Sequence, residues 1–270
     1  MRRIVIFSLS LLSDLLIGQS TICNQNLVPN PSFEDSLQCP TALSQIAKCR
    51  YWFSPNSGSP DYFNVCNTIS GNGSVGIPIN TWGSQTSHSG NAYTGIGSNV
   101  KGDMREYLSV KMTDSLTAGK KYCVSFFANL SEFSFAATNS LGIIMSDDSV
   151  FVPGFFLPLT SAYISDSLII DSLNWVELKF NYNALGGEKY LIIGILRPDS
   201  LLTKIWVRND STSDLNYYYI DDVSVCNCNT QVDSIRPFLL YPNPASVNFL
   251  LSMIWVRITN LKFMICLDVL

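Results

Sequence analysis

The chain has 270 residues, of which 47% are hydrophobic and 14% charged, and its formal net charge is −4. That length supports one large core, or one domain with appendages. No basic block is present, which argues against a nucleic-acid partner.

The first twenty residues read as a signal peptide. Arg2 and Arg3 precede an apolar run, Ile4 to Ile17, broken by Asp14. Gly18 and Ser20 place small residues where signal peptidase needs them. The run is too short and broken to span a bilayer, and no lipobox precedes Cys23. The mature chain is therefore expected to be secreted, with no transmembrane segment and with cell-surface attachment as a further possibility.

An oxidising compartment suits the eight cysteines. The disulfide candidates are Cys23, Cys39, Cys49, Cys66, Cys226 and Cys228. Cys39, Cys49 and Cys66 cluster in a loop-rich stretch, where a local bridge is expected. Cys226 and Cys228 follow the last strand, and one reaches Cys23 if the termini are neighbours. Zinc is the weaker alternative, because the only tight spacing is Cys226-x-Cys228, with no second pair and no nearby His.

Strand signals then recur, separated by Gly, Pro, Ser and Asn. Thr41–Lys48 is expected to form a short helix. Ala92–Ile96, Glu106–Met112 and Leu141–Ser146 are expected strands. Tyr122–Asn129 and Lys189–Leu196 are richer in apolar residues and read as central strands. In Trp175–Tyr182 the side chains of Val176, Leu178, Phe180 and Tyr182 alternate with polar ones, the period of a half-buried strand. Gly186-Gly187 marks a turn. Many short strands in residues 21–228 predict an all-β fold, a jelly-roll β-sandwich with short helix and turn insertions. Residues 229–238 read as a linker, and 239–270 as an apolar tail in which Ile254–Leu261 is a candidate strand.

Carboxylates mark both ends of the predicted domain. Asn30-Pro31-Ser32-Phe33-Glu34-Asp35 lies near its start and Tyr219-Ile220-Asp221-Asp222-Val223-Ser224-Val225 near its end. A fold pairing the first and last strands brings them together, which suggests a cation at the seam. Adjacent carboxylates repel unless a cation or hydrogen bonds neutralise them. On a regular strand Asp221 and Asp222 point to opposite faces, so only one is expected to be a side-chain ligand. The plainer alternative is that the pair caps a turn or an edge strand.

Sugar recognition needs flat aromatic faces and polar groups for hydroxyls. Trp175 opens a strand and Trp52 lies between Tyr51 and Phe53, so both are expected in the core. Trp82 sits in a polar loop, and Trp206 alternates with Lys204 and Arg208. These two are the exposed candidates, with Arg105-Glu106 serving hydroxyl binding or forming a surface ion pair. The Tyr217-Tyr218-Tyr219 run must place rings on both faces of a sheet.

No enzyme is expected. His88 is the single histidine, in a Ser/Gly-rich loop, and there is no Gly-x-Ser-x-Gly or His-Glu-x-x-His motif. A glycoside hydrolase built from an unrecognised carboxylate pair is the remaining catalytic reading.

Two resemblances add to this. Leu240-Tyr241-Pro242-Asn243-Pro244-Ala245, followed by Val247–Leu251, resembles the opening of the C-terminal sorting domain of type IX secretion substrates. It implies the type IX secretion machinery as a partner and surface delivery. The later Gly-bearing turn and basic terminal strand of such domains do not follow, so the tail is read as a truncated remnant. The second covers Asn26 to Val225. Asn26–Glu34 and Tyr219–Val225 resemble the ends of galactose-binding-like jelly rolls, including carbohydrate-binding modules of the family 4 and family 22 type. Ser59–Asn64, Val75–Pro78, Gly90–Ile96 and Arg105–Leu108 are similar to secreted proteins of the phylum that uses type IX secretion. The resemblance implies a carbohydrate or cell-surface glycan as ligand. It also implies a structural calcium held by Glu34, Asp221 and Asp222 with backbone carbonyls, the roughly 6–8 oxygens that Ca²⁺ takes. A structural or adhesive surface protein without a small ligand is the alternative.

Overall fold

A computed structural model describes residues 23, 25–99, 104–157, 162–208, 215–228, 253–258 and 261–266. The chain divides into two compact units, 1–230 and 231–270. The strands of the first unit, in chain order, are β1 (Trp52–Phe53), β2 (Asp61–Asn64), β3 (Ile79–Asn80), β4 (Gly83–Ser84), β5 (Ala92–Asn99), β6 (Met104–Arg105), β7 (Tyr107–Lys111) and β8 (Lys121–Leu130). They continue as β9 (Ala136–Thr138), β10 (Leu141–Ser146), β11 (Ala162–Ile164), β12 (Val176–Asn183), β13 (Tyr190–Ile195), β14 (Lys204–Trp206) and β15 (Leu215–Asn227). Among the described residues the only helical turns are Ile46–Lys48 and Asp199–Leu201.

The strands form a jelly-roll β-sandwich. One antiparallel sheet runs β1-β7-β13-β10-β11, and the other runs β12-β8-β15-β5-β2 with β6 beside β5. Leu108, Val110, Ile143 and Ile193 from the first sheet meet Val124, Phe126, Leu178 and Ile220 from the second in one core. On β12 the expected alternation appears, with Leu178, Phe180 and Tyr182 buried and Glu177, Lys179 and Asn181 exposed. β13 lies between β7 and β10, a central position that accounts for its apolar run.

Both sheets are also covered on their outer faces. On β15, Tyr218 and Ile220 join the main core, while Tyr217 and Tyr219 pack on the other side with Phe63, Val75 and Tyr93. Leu43, Ile77, Trp82 and Trp175 pack against this second cluster. Most of that cover comes from the long excursion between β2 and β5. Tyr107, Ile144, Ile192, Leu157 and Leu196 form a third cluster outside the smaller sheet. Trp52 is buried and packs on Phe33 at 4.7 Å between ring centroids.

The first segment runs beside the last strand. Leu27 N–H donates to the Val225 carbonyl at 2.9 Å, and Val223 N–H to the Pro31 carbonyl at 2.9 Å. Disulfides join Cys23 to Cys226, Cys39 to Cys66 and Cys123 to Cys228. Cys49 departs from the expected bridged set: its thiol is free and buried. It packs in the core with Phe33 and Trp52, and burial pushes its pKa well up. Cys123, outside the expected set, takes the bridge with Cys228, because β8 and β15 pair Cys123 directly against Cys226. Sequence proximity grouped Cys49 with Cys39 and Cys66 but gave no side-chain direction.

The second unit is described as an antiparallel pair, β16 (Met253–Ile258) with β17 (Leu261–Cys266). The expected signal peptide, 1–20, the expected linker, 229–238, and the phrase at 240–251 lie outside the described residues. Among the described residues, no helix is long and apolar enough to cross a membrane.

Tyrosine rings lie directly over two glycines. A Cβ on Gly95 would overlap the Tyr217 hydroxyl, and one on Gly194 the Tyr107 ring. Gly97 is looser, with its nearest neighbour at 3.3 Å. Gly95→Ala is expected to cost about 1–3 kcal/mol or more by overpacking, and Gly97→Ala distinctly less. Urea midpoints of the two variants check this ordering; equal midpoints would contradict the packing described.

Candidate functional site

The three carboxylates expected at the seam do converge, on one stretch of loop. β15 gains one extra residue against β8 between Asp221 and Ser224, and Asp222 is left-handed with φ 47°. A bulge of this kind breaks side-chain alternation, so both Asp side chains reach the same loop. Asp221 Oδ2 accepts from His88 N–H at 2.9 Å and Ser89 N–H at 3.2 Å. Asp222 accepts from Ser89 Oγ at 2.6 Å and pairs closely with His88 Nδ1. Glu34 Oε1 accepts from Asn91 N–H at 2.7 Å and Ala92 N–H at 2.9 Å. Gly90 has φ 63°, and a Cβ there would overlap the Glu34 carboxylate.

These residues do not fit calcium as they stand. Ca²⁺ needs roughly 6–8 oxygens with free lone pairs. Here Glu34 Oε1 and both oxygens of Asp221 and of Asp222 already face protein N–H or O–H donors. Among the described residues, no three His, Cys, Asp or Glu side chains group closely enough to hold a metal ion. Of the two neutralising partners the sequence left open, a cation or hydrogen bonds, hydrogen bonds are present. The expectation that Asp221 and Asp222 point apart is likewise corrected by the bulge. Burial, then the Asp222 charge, pushes Asp221 up to about 8. Burial opposes ionisation of Asp222 too, but hydrogen bonds from Ser89, His88 and Ser32 hold it below the usual range.

A pocket of about 210 Å³ opens elsewhere, at the edge of the outer tyrosine cluster. β2 contributes Asp61, β5 Gly97 and Ser98, and β15 Leu215 and Tyr217; Glu106 stands between β6 and β7. Ser44, Ser59, Trp82, Met104 and Phe155 complete most of the wall. Trp82, expected in an open loop, is half-buried and stacks flat on Tyr217, with centroids 4.4 Å apart and planes 18° apart. Its Nε1–H donates to Asp61 Oδ2 at 3.0 Å. The same oxygen accepts from Tyr217 Oη at 2.6 Å, and Asp61 Oδ1 accepts from Ser44 N–H at 2.6 Å. Glu106 accepts from Ser59 N–H at 3.2 Å, Ser59 Oγ at 3.0 Å and Gly97 N–H at 2.7 Å.

Burial raises the pKa of Asp61 against its three hydrogen bonds. Burial, then the Asp61 charge, pushes Glu106 up to about 7. Tyr217 is held well above its ordinary value by burial and then by both carboxylates. The two acids therefore share one electrostatic environment.

Arg105 is not half of a surface pair with Glu106. It is fully buried, and its guanidinium donates to the carbonyls of Met104 at 3.3 Å and Arg197 at 3.4 Å. It does line the pocket. Trp206 lies outside the pocket, on β14, 45% exposed with the Lys204 ammonium 5.0 Å above its ring. The sequence reading missed Asp61 and Tyr217 and weighed Glu106 only together with Arg105, for hydroxyl binding or as an ion pair. A carboxylate directly before the aromatic pair Tyr62-Phe63 was the available signal.

No protein-family model matches the chain, and no curated protein matches it. Solved structures similar to it include TmCBM61 in complex with beta-1,4-galactotriose, with 12% identity over 76% of this chain and 99% of that chain and a TM-score of 0.36. Another is the CBM22-1 xylan-binding domain from Paenibacillus barcinonensis, with 12% identity, coverage of 73% and 91%, and a TM-score of 0.38. A third is the K2 cleaved adhesin domain of Lys-gingipain, with 13% identity, coverage of 72% and 94%, and a TM-score of 0.35. Likeness at this level says nothing of ligand or activity.

Two outcomes follow from these electrostatics. Raised carboxylates mean that the folded state binds more protons than the unfolded chain between about pH 4.5 and 8, so stability falls as pH rises through that window. The lowered groups, Asp171, Glu188 and Asp222, lose their contribution only at more acid pH. The melting temperature is expected to decline from about pH 5 to 8.5, and a flat or rising profile by scanning calorimetry would contradict the burial of Asp221 and Glu106. EDTA is expected to leave the melting temperature unchanged; a drop on chelation would return the cation to the seam.

Proposed function

We propose that the chain is a secreted, non-catalytic binding module for a carbohydrate or cell-surface glycan, with the Trp82–Tyr217 pocket as its site. The observation that carries this is the placement of Trp82 beside two carboxylates in one walled pocket. Sugars present apolar ring faces and hydroxyl donors, and this lining offers an aromatic surface with acceptors beside it. The volume is below the roughly 300–1,000 Å³ of drug-sized pockets, which suits one sugar ring or a chain end.

Three disulfides support an oxidising, extracellular setting. The Pro-Asn-Pro-Ala phrase at 242–245 supports delivery by the type IX secretion machinery. A structural calcium would require the 88–92 stretch to turn its donors away from the seam carboxylates.

One observation favours a second reading, a glycoside hydrolase. Glu106, with a pKa of about 7, has the proton affinity of a general acid beside a second carboxylate. Against it, three donors already hold Asp61, which leaves it about one acceptor position for a ligand hydrogen bond but not the free carboxylate that a nucleophile or base needs.

A glycan array followed by titration calorimetry separates these readings. The expected result is binding without turnover, weakened about tenfold or more in Trp82→Ala and unchanged in Trp206→Ala. Thermal melts verify that Trp82→Ala still folds. No binding to any glycan would sink the proposal, and release of reducing ends would replace it with the hydrolase.

A further inference from the structure

The pocket's negative charge has no counterpart among the donors that hold it. Asp61 and Glu106 together accept six hydrogen bonds, every one from a neutral group: three backbone N–H groups, the Trp82 indole, the Tyr217 hydroxyl and the Ser59 hydroxyl. Among the described residues no basic side chain is ion-paired with either carboxylate. The neighbouring Arg105 directs its guanidinium at the carbonyls of Met104 and Arg197. A carboxylate has about four acceptor positions. Each of these two uses three, so each keeps about one for a ligand.

We propose that the pocket binds the protonated amine of an amino sugar, with the ammonium between Asp61 and Glu106 and the sugar ring against Trp82. This rests on the carbohydrate reading of the same pocket. An ammonium carries three donors and no acceptor, the complement of walls that offer acceptors. Its hydrogen bonds to carboxylates are charge-assisted and stronger than those of a neutral hydroxyl. N-acetylation removes that charge and adds bulk to a pocket of about 210 Å³. A divalent ion suits the pocket less well, because it needs roughly 6–8 oxygens and most carboxylate positions are already taken. The apolar wall of Leu43, Met104, Phe155 and Leu215 limits water around the pair, which strengthens attraction to a cation. An arriving ammonium would also relieve the Asp61 repulsion that adds to burial in raising Glu106.

The test is titration calorimetry of the full chain with three probes at low salt. They are a fully deacetylated glucosamine trimer, its fully N-acetylated counterpart and a neutral xylotriose or galactotriose. The amino trimer is expected to bind about tenfold or more tightly than the other two. Glu106→Gln is expected to remove most of that preference while thermal melts show it folded. Asp61→Asn repeats the comparison if Glu106→Gln fails to fold. Equal or tighter binding of the acetylated or neutral trimer would overturn the amine while leaving the carbohydrate reading intact. No binding of any trimer would overturn the amine, and silence across the wider glycan array would remove the carbohydrate reading with it. A preference that survives both substitutions would place the amine elsewhere and overturn this assignment. Calcium chloride alone raising the melting temperature of the wild-type chain but not of Glu106→Gln would assign the carboxylate pair to a divalent ion instead.

Discussion

β15 has to be dry on both faces. It is a 13-residue strand in the middle of the larger sheet, and three consecutive tyrosines send rings to both sides. The inner side is covered by the opposite sheet. The outer side has no second sheet, so burying Tyr217 and Tyr219 requires another cover. Aromatic side chains of this size gain too much from burial to be left in water. The long excursion between β2 and β5 supplies the cover, and the rest of the architecture follows from holding it in place.

A loop laid over a sheet needs anchors, because its backbone polar groups must find partners. The seam carboxylates are those anchors. Glu34, Asp221 and Asp222 accept from residues 88, 89, 91 and 92 and so tie the end of the excursion to the first and last segments of the domain. Trp175 adds a further tie through its indole N–H to the Thr86 carbonyl at 3.0 Å. Asp61 anchors the middle of the cover by receiving the Trp82 indole. Two acidic clusters therefore stand on the same side of the larger sheet. The seam cluster has a histidine beside it, and the pocket pair is held by neutral donors. The seam cluster is closed over by the 88–92 stretch, whereas the pocket pair lines an open cavity, and that difference separates the structural site from the candidate binding site.

Much of the fold was legible in the sequence. Period-two alternation in 176–182, apolar runs at 122–129 and 189–196, and paired glycines at 186–187 depend on local geometry, and they mark the strands and turns that form. The neighbouring termini were legible for a similar reason, since matching extended phrases at both ends suit adjacent strands. The site was less legible. Trp82 looked exposed because its neighbours are polar, yet it stacks on a residue 135 positions later. Arg105 looked like a surface partner for Glu106, but it is fully buried and its guanidinium donates to the carbonyls of Met104 and Arg197.

The sequence by itself determined the strand pattern and the all-β class, because backbone periodicity and turn chemistry are local properties. Only the tertiary structure decided which way the seam carboxylates point, which cysteines pair and where a pocket opens. A single extra residue in β15 turned both seam Asp side chains onto one loop. Sheet register set Cys123 beside the end of β15 and left Cys49 in the core. The pocket exists because β2 and β15 both pair with β5, so that Tyr217 reaches Asp61 across it, while Glu106 accepts from Gly97 on β5; the sequence separation between these residues carries no trace of that proximity.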